Sequence, residues 1–203
     1  MMNLKCPVLR IRRTYFILVF LLSTTLFFSC SLQTSWQLTS PDGNLMVTLH
    51  IEEPENSLTY SVHHLDGADT VTVVLPSPLG IERKDQGFVR GLSLLHASKV
   101  KVIDEYYRLL HGKRKECHDF THQRIFHFKS AGGHKIDLEF RAYREGIAFR
   151  YHFPDRDTNL HTVLGEATGF RLPAAGLAYL QPHADRYPAY EQHHQTAIPV
   201  GTP

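Results

Sequence analysis

Apolar side chains recur at every second position through much of the chain. In "NLMVTLHI", Leu45, Val47, Leu49 and Ile51 share one face, and "SLTYSV" repeats the arrangement with Leu58, Tyr60 and Val62. "KIDLEFRA" aligns Ile136, Leu138, Phe140 and Ala142 against Asp137, Glu139 and Arg141. "YREGIAFRYHFP" places Ile147, Phe149, Tyr151 and Phe153 on one side, and Ala148, Arg150 and His152 on the other. A period of two is the signature of strands with one buried and one wet face. Such strands pair most readily as antiparallel sheets.

Turn-forming sequences separate the runs. "SPDGN" precedes the first, "EEPENS" and "LDGAD" bracket the second, "SAGG" separates "RIFHFK" from "KIDLEF", and "REG" separates that from "IAFRYHF". Gly supplies positive φ, and Asp and Asn bond their own backbone in tight turns. Thr121–Phe153 therefore reads as a three-stranded meander. "GLSLLHAS" fits either a strand or a helical turn, and no long amphipathic helix stands out. The expected fold is all-β, a large antiparallel β-sandwich. The last stretch, from Arg171, holds five of the eleven prolines and little alternation, and reads as loop-rich.

The first 29 residues differ from the rest. Lys5, Arg10, Arg12 and Arg13 precede the apolar run "YFILVFLLSTTLFF", which ends in "SC". The run is too short for a comfortable membrane span and reads as an export signal. Its ending is what bacterial lipoprotein signals look like, with Cys30 the lipid-bearing first residue of the mature chain. A plain cleaved signal or a membrane anchor is the alternative. The expected organisation is a signal over 1–29, a tether over 30–35 and one domain over 36–203. The product is expected to be exported, to the periplasm or, as a lipoprotein, the outer membrane.

The signal holds four of the 22 basic residues and none of the 20 acidic ones, so the mature chain carries 18 basic against 20 acidic residues. The basic isoelectric point thus belongs to the leader. No basic stripe interleaved with aromatics remains for nucleic acid. Cys6 lies in the leader and Cys30 is the lipid candidate, which leaves Cys117 without an internal disulfide partner.

The fourteen histidines suggest metal binding at first sight. His118 and His122 in "HDFTH" would share a helix face, as Zn²⁺ sites do. In a strand, four positions span about 13 Å at roughly 3.3 Å per residue, too far for one ion. The pairs His63–His64 and His193–His194 would point to opposite faces of a strand. No G-x-S-x-G element or Gly-rich phosphate loop occurs. Two carboxylates, Glu166 in "GEATGF" and Glu191 in "AYEQHH", lie beyond the regular strands. A carboxylate beside Tyr190 and His193 suits a hard cation or a sugar hydroxyl, but one alone cannot supply the six to eight oxygens of Ca²⁺.

Five motifs occur in order: "SPDGNLMVTL", "SPLGIE", "GIAFRYHFP", "GEATGF" and "YE". This succession resembles the N-terminal domain of glycoside hydrolase family 97, exported bacterial α-glucosidases and α-galactosidases typical of Bacteroidetes. The resemblance runs from about Trp36 to the end. It implies a galactose-mutarotase-like super-sandwich packed on a catalytic (β/α)₈ barrel, with an α-linked oligosaccharide as substrate. It also implies a calcium ion near the sugar, held by glutamates, one of them from this domain. Glu191 looks like that ligand. Glu166, in the family's E-x-T-x-F, and Tyr190 are the positions expected near substrate. Calcium of this kind orients substrate while carboxylates move protons.

The sequence stops at Pro203, about where the family's barrel begins. The expectation is a domain with no catalytic residue of its own, inactive alone. The alternative is a surface-tethered carbohydrate-binding lipoprotein, with sugars stacked on Tyr179, Tyr187 and Tyr190.

Overall fold

A computed structural model describes residues 34–202 apart from Asp157 and residues 182–192. No helix occurs among the described residues. The first sheet joins β1 (Ser35–Thr39), β2 (Leu45–Glu52), β3 (Ser57–Asp66) and β4 (Asp69–Leu79) in sequential antiparallel order. The turn residues are those that the sequence marks. Ser40 and Asp42 close the first turn through a 2.6 Å hydrogen bond, and Asn56 adopts φ 50 in the second. The second sheet holds β7 (Ser93–Ala97), β8 (Lys101–Arg108), β9 (Glu116–Lys129), β10 (Lys135–Ala142) and β11 (Ile147–His152). Its order is β11-β10-β9-β7, with β8 also paired to β9. The meander over Thr121–Phe153 is therefore present as β9–β10–β11, and "GLSLLHAS" contributes a strand. β8 carries no clean alternation and is a product of the tertiary fold, while β4 alternates only over Thr70–Val73.

The two sheets enclose one core. Leu38, Val47, Leu49, Leu58, Tyr60 and Val62 from the first meet Phe126, Phe128, Ile136, Leu138 and Phe140 from the second. Trp36 reaches across to Phe126, with ring centroids 6.1 Å apart. Ring pairs at such separations contribute beyond their buried area. The all-β sandwich expected from the alternation is thus the observed fold.

One expectation changes. Asp137 and Glu139 sit on the face of β10 opposite the core, yet they are only 8% and 5% exposed. β10 lies between β9 and β11, and long side chains from both fold over its carboxylates. His127 Nδ1 and His152 Nδ1 lie 2.7 and 3.2 Å from the two Asp137 oxygens. Arg150 Nε donates to Glu139 Oε2 at 2.8 Å, Arg141 Nε to Oε1 at 3.1 Å, and Gln123 also donates to Oε1. Burying a carboxylate costs heavily unless charge and hydrogen bonds compensate it, and here both do.

Small strands connect the sandwich to its C-terminal part. β5 (Ile81–Arg83) lies between β6 (Gly87–Phe88) and β12 (Val163–Glu166). Within the stretch read as loop-rich, β13 (Leu177–Leu180) pairs with β14 (Gln195–Pro199).

Candidate functional site

The motifs "SPLGIE", "GIAFRYHFP" and "GEATGF" are distant in sequence and meet in space. The chain leaves β4 through Pro78 and Leu79, turns at Gly80 and enters β5. Gly80 has φ 155, and a Cβ there would stand 3.0 Å from Phe88 O and from Val89 Cα, so glycine alone fits. "GEATGF" then lies along this turn. β12 pairs with β5 through Glu166 opposite Ile81. Ala167 N donates to Gly80 O at 2.9 Å and Gly169 N to Pro78 O at 3.0 Å. Ser77 Oγ, fully buried, accepts from Arg171 N at 2.9 Å. Gly169 is needed for this approach, because a Cβ would meet Pro78 Cδ at 3.0 Å.

Tyr151 pins the three segments together. Its hydroxyl accepts from Gly80 N at 2.8 Å and lies 2.8 Å from Thr168 Oγ1. Nearby, Tyr60 Oη donates to Gly169 O at 3.1 Å. Burial lifts the Tyr151 phenol above its ordinary value, and the Glu166 charge adds to the rise against the lowering effect of Thr168 and Gly80. Burial, and after it Tyr151, lifts Tyr60 in the same direction. Both phenols therefore stay protonated through the neutral range and act as hydrogen-bonding struts rather than bases.

Glu166 ends β12 at the edge of this junction and is exposed. Tyr179, on β13, is also exposed. Glu191, Tyr190, Tyr187 and Cys30 lie outside the described residues, so Glu166 and Tyr179 are the two of these candidates that can be placed. Among the described residues, no group of three or more His, Cys, Asp or Glu is arranged to hold a metal ion. The described residues alone therefore do not fit a calcium ion, which takes six to eight oxygens. His118 and His122 both sit on β9 and have separate partners: Nε2 of the first lies 2.6 Å from Asp104 Oδ1, and Nδ1 of the second donates to Thr39 O at 2.7 Å.

A second constellation escaped sequence reasoning. Arg83, buried at the end of β5, donates through Nε to Asp85 Oδ1 at 2.9 Å and also contacts His161. Its guanidinium lies 4.8 Å from the centroid of the Phe153 ring. The hydrogen bond from Arg83 holds the Asp85 carboxyl below its usual value. Arg83, Phe153, Asp155, Arg156, His161 and Val163 line an open cleft. The spacing in "ERKD" hints at the ion pair, but nothing local signals that His161 arrives beside it.

With this geometry in hand, comparison with known proteins is specific. A family profile described as Glycosyl-hydrolase 97 N-terminal matches residues 38–202. A probable retaining alpha-galactosidase of Streptomyces bingchenggensis is 29% identical over 199 residues, which cover 94% of this chain and 30% of that protein. A retaining alpha-galactosidase of Bacteroides thetaiotaomicron is 30% identical over 161 residues, covering 77% of this chain and 22% of that protein. The chain thus spans less than a third of the length of either relative. Among solved structures, a beta-arabinopyranosidase superposes with a TM-score of 0.71 at 28% identity, over 81% of this chain and 26% of that one. A Glycoside Hydrolase Family 97 enzyme from Pseudoalteromonas sp. strain K8, in complex with panose, shares the fold with a TM-score of 0.67 at 22% identity, over 80% of this chain and 24% of that one.

Proposed function

The chain belongs to the Glycosyl-hydrolase 97 N-terminal family, and from that premise we propose that it is the non-catalytic supporting sandwich of an exported α-glycosidase. One observation carries the supporting role. The segment after the sandwich leaves a run of apolar side chains exposed: Val163, Leu164, Phe170, Leu172, Leu177 and Leu180. All four residues of β12 are exposed, so it buries neither face. Apolar side chains left exposed in this number suit packing against further protein. A catalytic (β/α)₈ barrel is the partner that the family resemblance implies. The junction pinned by Tyr151 holds this segment in place against the sandwich.

The relatives' names favour an α-galactoside as the complete enzyme's substrate, cleaved with retention. The arabinopyranosidase likeness is consistent in chemistry, since β-L-arabinopyranose is α-D-galactopyranose without its hydroxymethyl group. In this reading the chain itself supplies no acid, base or nucleophile. Purified alone, it should release no 4-nitrophenol from the 4-nitrophenyl α-galactoside or α-glucoside. Clear turnover by the chain would overturn the proposal.

Calcium enters the proposal through Glu191 as one ligand, with the remaining oxygens coming from the partner domain. Glu166 and Tyr190 would then lie toward the sugar. Bound calcium would supply charge that orients and polarises the substrate. With so few ligands of its own, the isolated chain should bind Ca²⁺ only weakly, and micromolar affinity by calorimetry would contradict this assignment. Attachment to the membrane is proposed through a lipid on Cys30. Cells grown with labelled palmitate should label the wild-type protein and not Cys30→Ala; an unlabelled wild type would remove the anchor.

A further inference from the structure

β8 and the distal half of β9 form an arm whose ring surface the sandwich does not use. β10 ends at Ala142, opposite His122, so Glu116–Thr121 of β9 pair with β8 alone. Tyr106 stands opposite His118 in that pairing. Their rings stack with centroids 4.0 Å apart and planes 4° from parallel. Asp104 Oδ1 anchors His118 Nε2 at 2.6 Å, which holds the stack in one orientation. Phe120 continues the surface, its ring centroid 6.5 Å from that of His118. Despite this order, Tyr106 is 76% exposed.

A groove adjoins the rings, lined by His118, Asp119, Phe120, Tyr143, Arg144 and Glu145. Aromatic rings thus adjoin a groove that a carboxylate, Glu145, and a guanidinium, Arg144, also line. Purely apolar docking would leave these charges buried and unpaired, at high cost. A pyranose suits both halves of the surface. One face of its ring presents C–H groups, which pack on aromatic faces, and its rim carries hydroxyls, which charged side chains bind.

We propose that this arm is a carbohydrate-binding platform. A pyranose ring of an oligosaccharide packs against the rings of Tyr106, His118 and Phe120, and its hydroxyls bond Arg144 and Glu145. The choice of sugar rests on the proposed α-galactosidase role; the platform itself rests on the arm's geometry. The site would keep the protein on polymeric substrate.

Electrophoresis of the full chain in native gels containing guar galactomannan, which bears α-galactosyl branches, tests this. The wild type should be retarded relative to a polymer-free gel. Tyr106→Ala should weaken the apparent affinity about two- to tenfold, the range of one ring contact. Tyr106→Phe should keep it, and so should Leu110→Ala, a control in the loop between β8 and β9. Both Tyr106 and Leu110 are exposed, so these variants leave the core untouched. An unretarded wild type overturns the platform, as does equal retardation of wild type and Tyr106→Ala. A Tyr106→Ala effect confined to the elution volume in size-exclusion chromatography would make the arm a protein interface and also overturn it. The nitrophenyl glycoside assay reads the supporting role separately, so the two proposals fail by different results.

Discussion

Phe140→Ala should destabilise the domain by about 3–5 kcal/mol, the range for truncating a buried aromatic ring. Phe140 is 1% exposed, on an inner strand of the second sheet. Its ring centroid lies 5.5 Å from Phe149, 6.2 Å from Phe126 and 6.4 Å from Tyr60. It therefore touches both flanking strands and the opposite sheet at once. Alanine would leave a cavity bounded by rings that are held by their own neighbours and cannot close it. Domains have only about 5–15 kcal/mol of stability in total, so the variant should unfold at far lower urea, if it folds at all. Phe170→Ala is the control, because that ring is 66% exposed. Its loss should be smaller, about 0.5–1.5 kcal/mol for each of its ring contacts with Tyr60 and Phe149. Equal urea midpoints for Phe140→Ala and wild type would mean that the two sheets do not share this core.

Glu139→Gln should cost about 1–3 kcal/mol at neutral pH, the range for disturbing a buried charged hydrogen-bond group. The amide keeps the size of the carboxylate but turns an N–H₂ donor toward donors on Arg150, Arg141 and Gln123. The dependence on pH is more diagnostic than the size. Burial alone would raise the Glu139 carboxyl, but hydrogen bonds from Arg150, Gln123 and Arg141, with the Arg150 charge, outweigh it and hold the value below 4.5. A carboxylate depressed on folding stabilises fully above its unfolded value and loses that contribution as pH falls through the folded one. The difference between wild type and Glu139→Gln should therefore be constant above about pH 5 and shrink below about pH 4. Urea unfolding at a series of pH values measures it. A difference that persists unchanged at pH 3 would mean that the Glu139 charge contributes nothing. Arg150 is largely exposed, so salt should erode part of the effect.

Much of the domain is legible in the sequence because its information is local. The alternation over Leu45–Ile51 and Ile136–Ala142 names the core face of each strand, since side chains along a strand must alternate. The "SAGG" and "REG" turns set the meander of β9, β10 and β11, because short Gly-containing links leave antiparallel return as the easy course. The order of the five motifs identifies the family, which the profile match over residues 38–202 shows independently. Glu166 and Tyr179 can be named from sequence and placed in the fold; the remaining candidates at Cys30, Tyr187, Tyr190 and Glu191 lie outside the described residues.

Tertiary structure decided the rest, for a physical reason. A period-two pattern says which side chains share a face, but not what the neighbouring strands bring to it. Asp137 and Glu139 belong to the polar face by pattern, and they became buried because His127, Arg150 and His152 arrive from the strands on either side. Tyr151 reads as a core position, and its hydroxyl became the pin of the junction because Gly80 and Thr168 are delivered to it by separate loops. Nothing local in the sequence links Tyr106 with His118, and only the pairing of β8 with β9 stacks them. Local sequence determined the strands, their turns and their apolar faces; the pairing of those strands, through contacts between distant residues, determined where charge is buried and where rings gather.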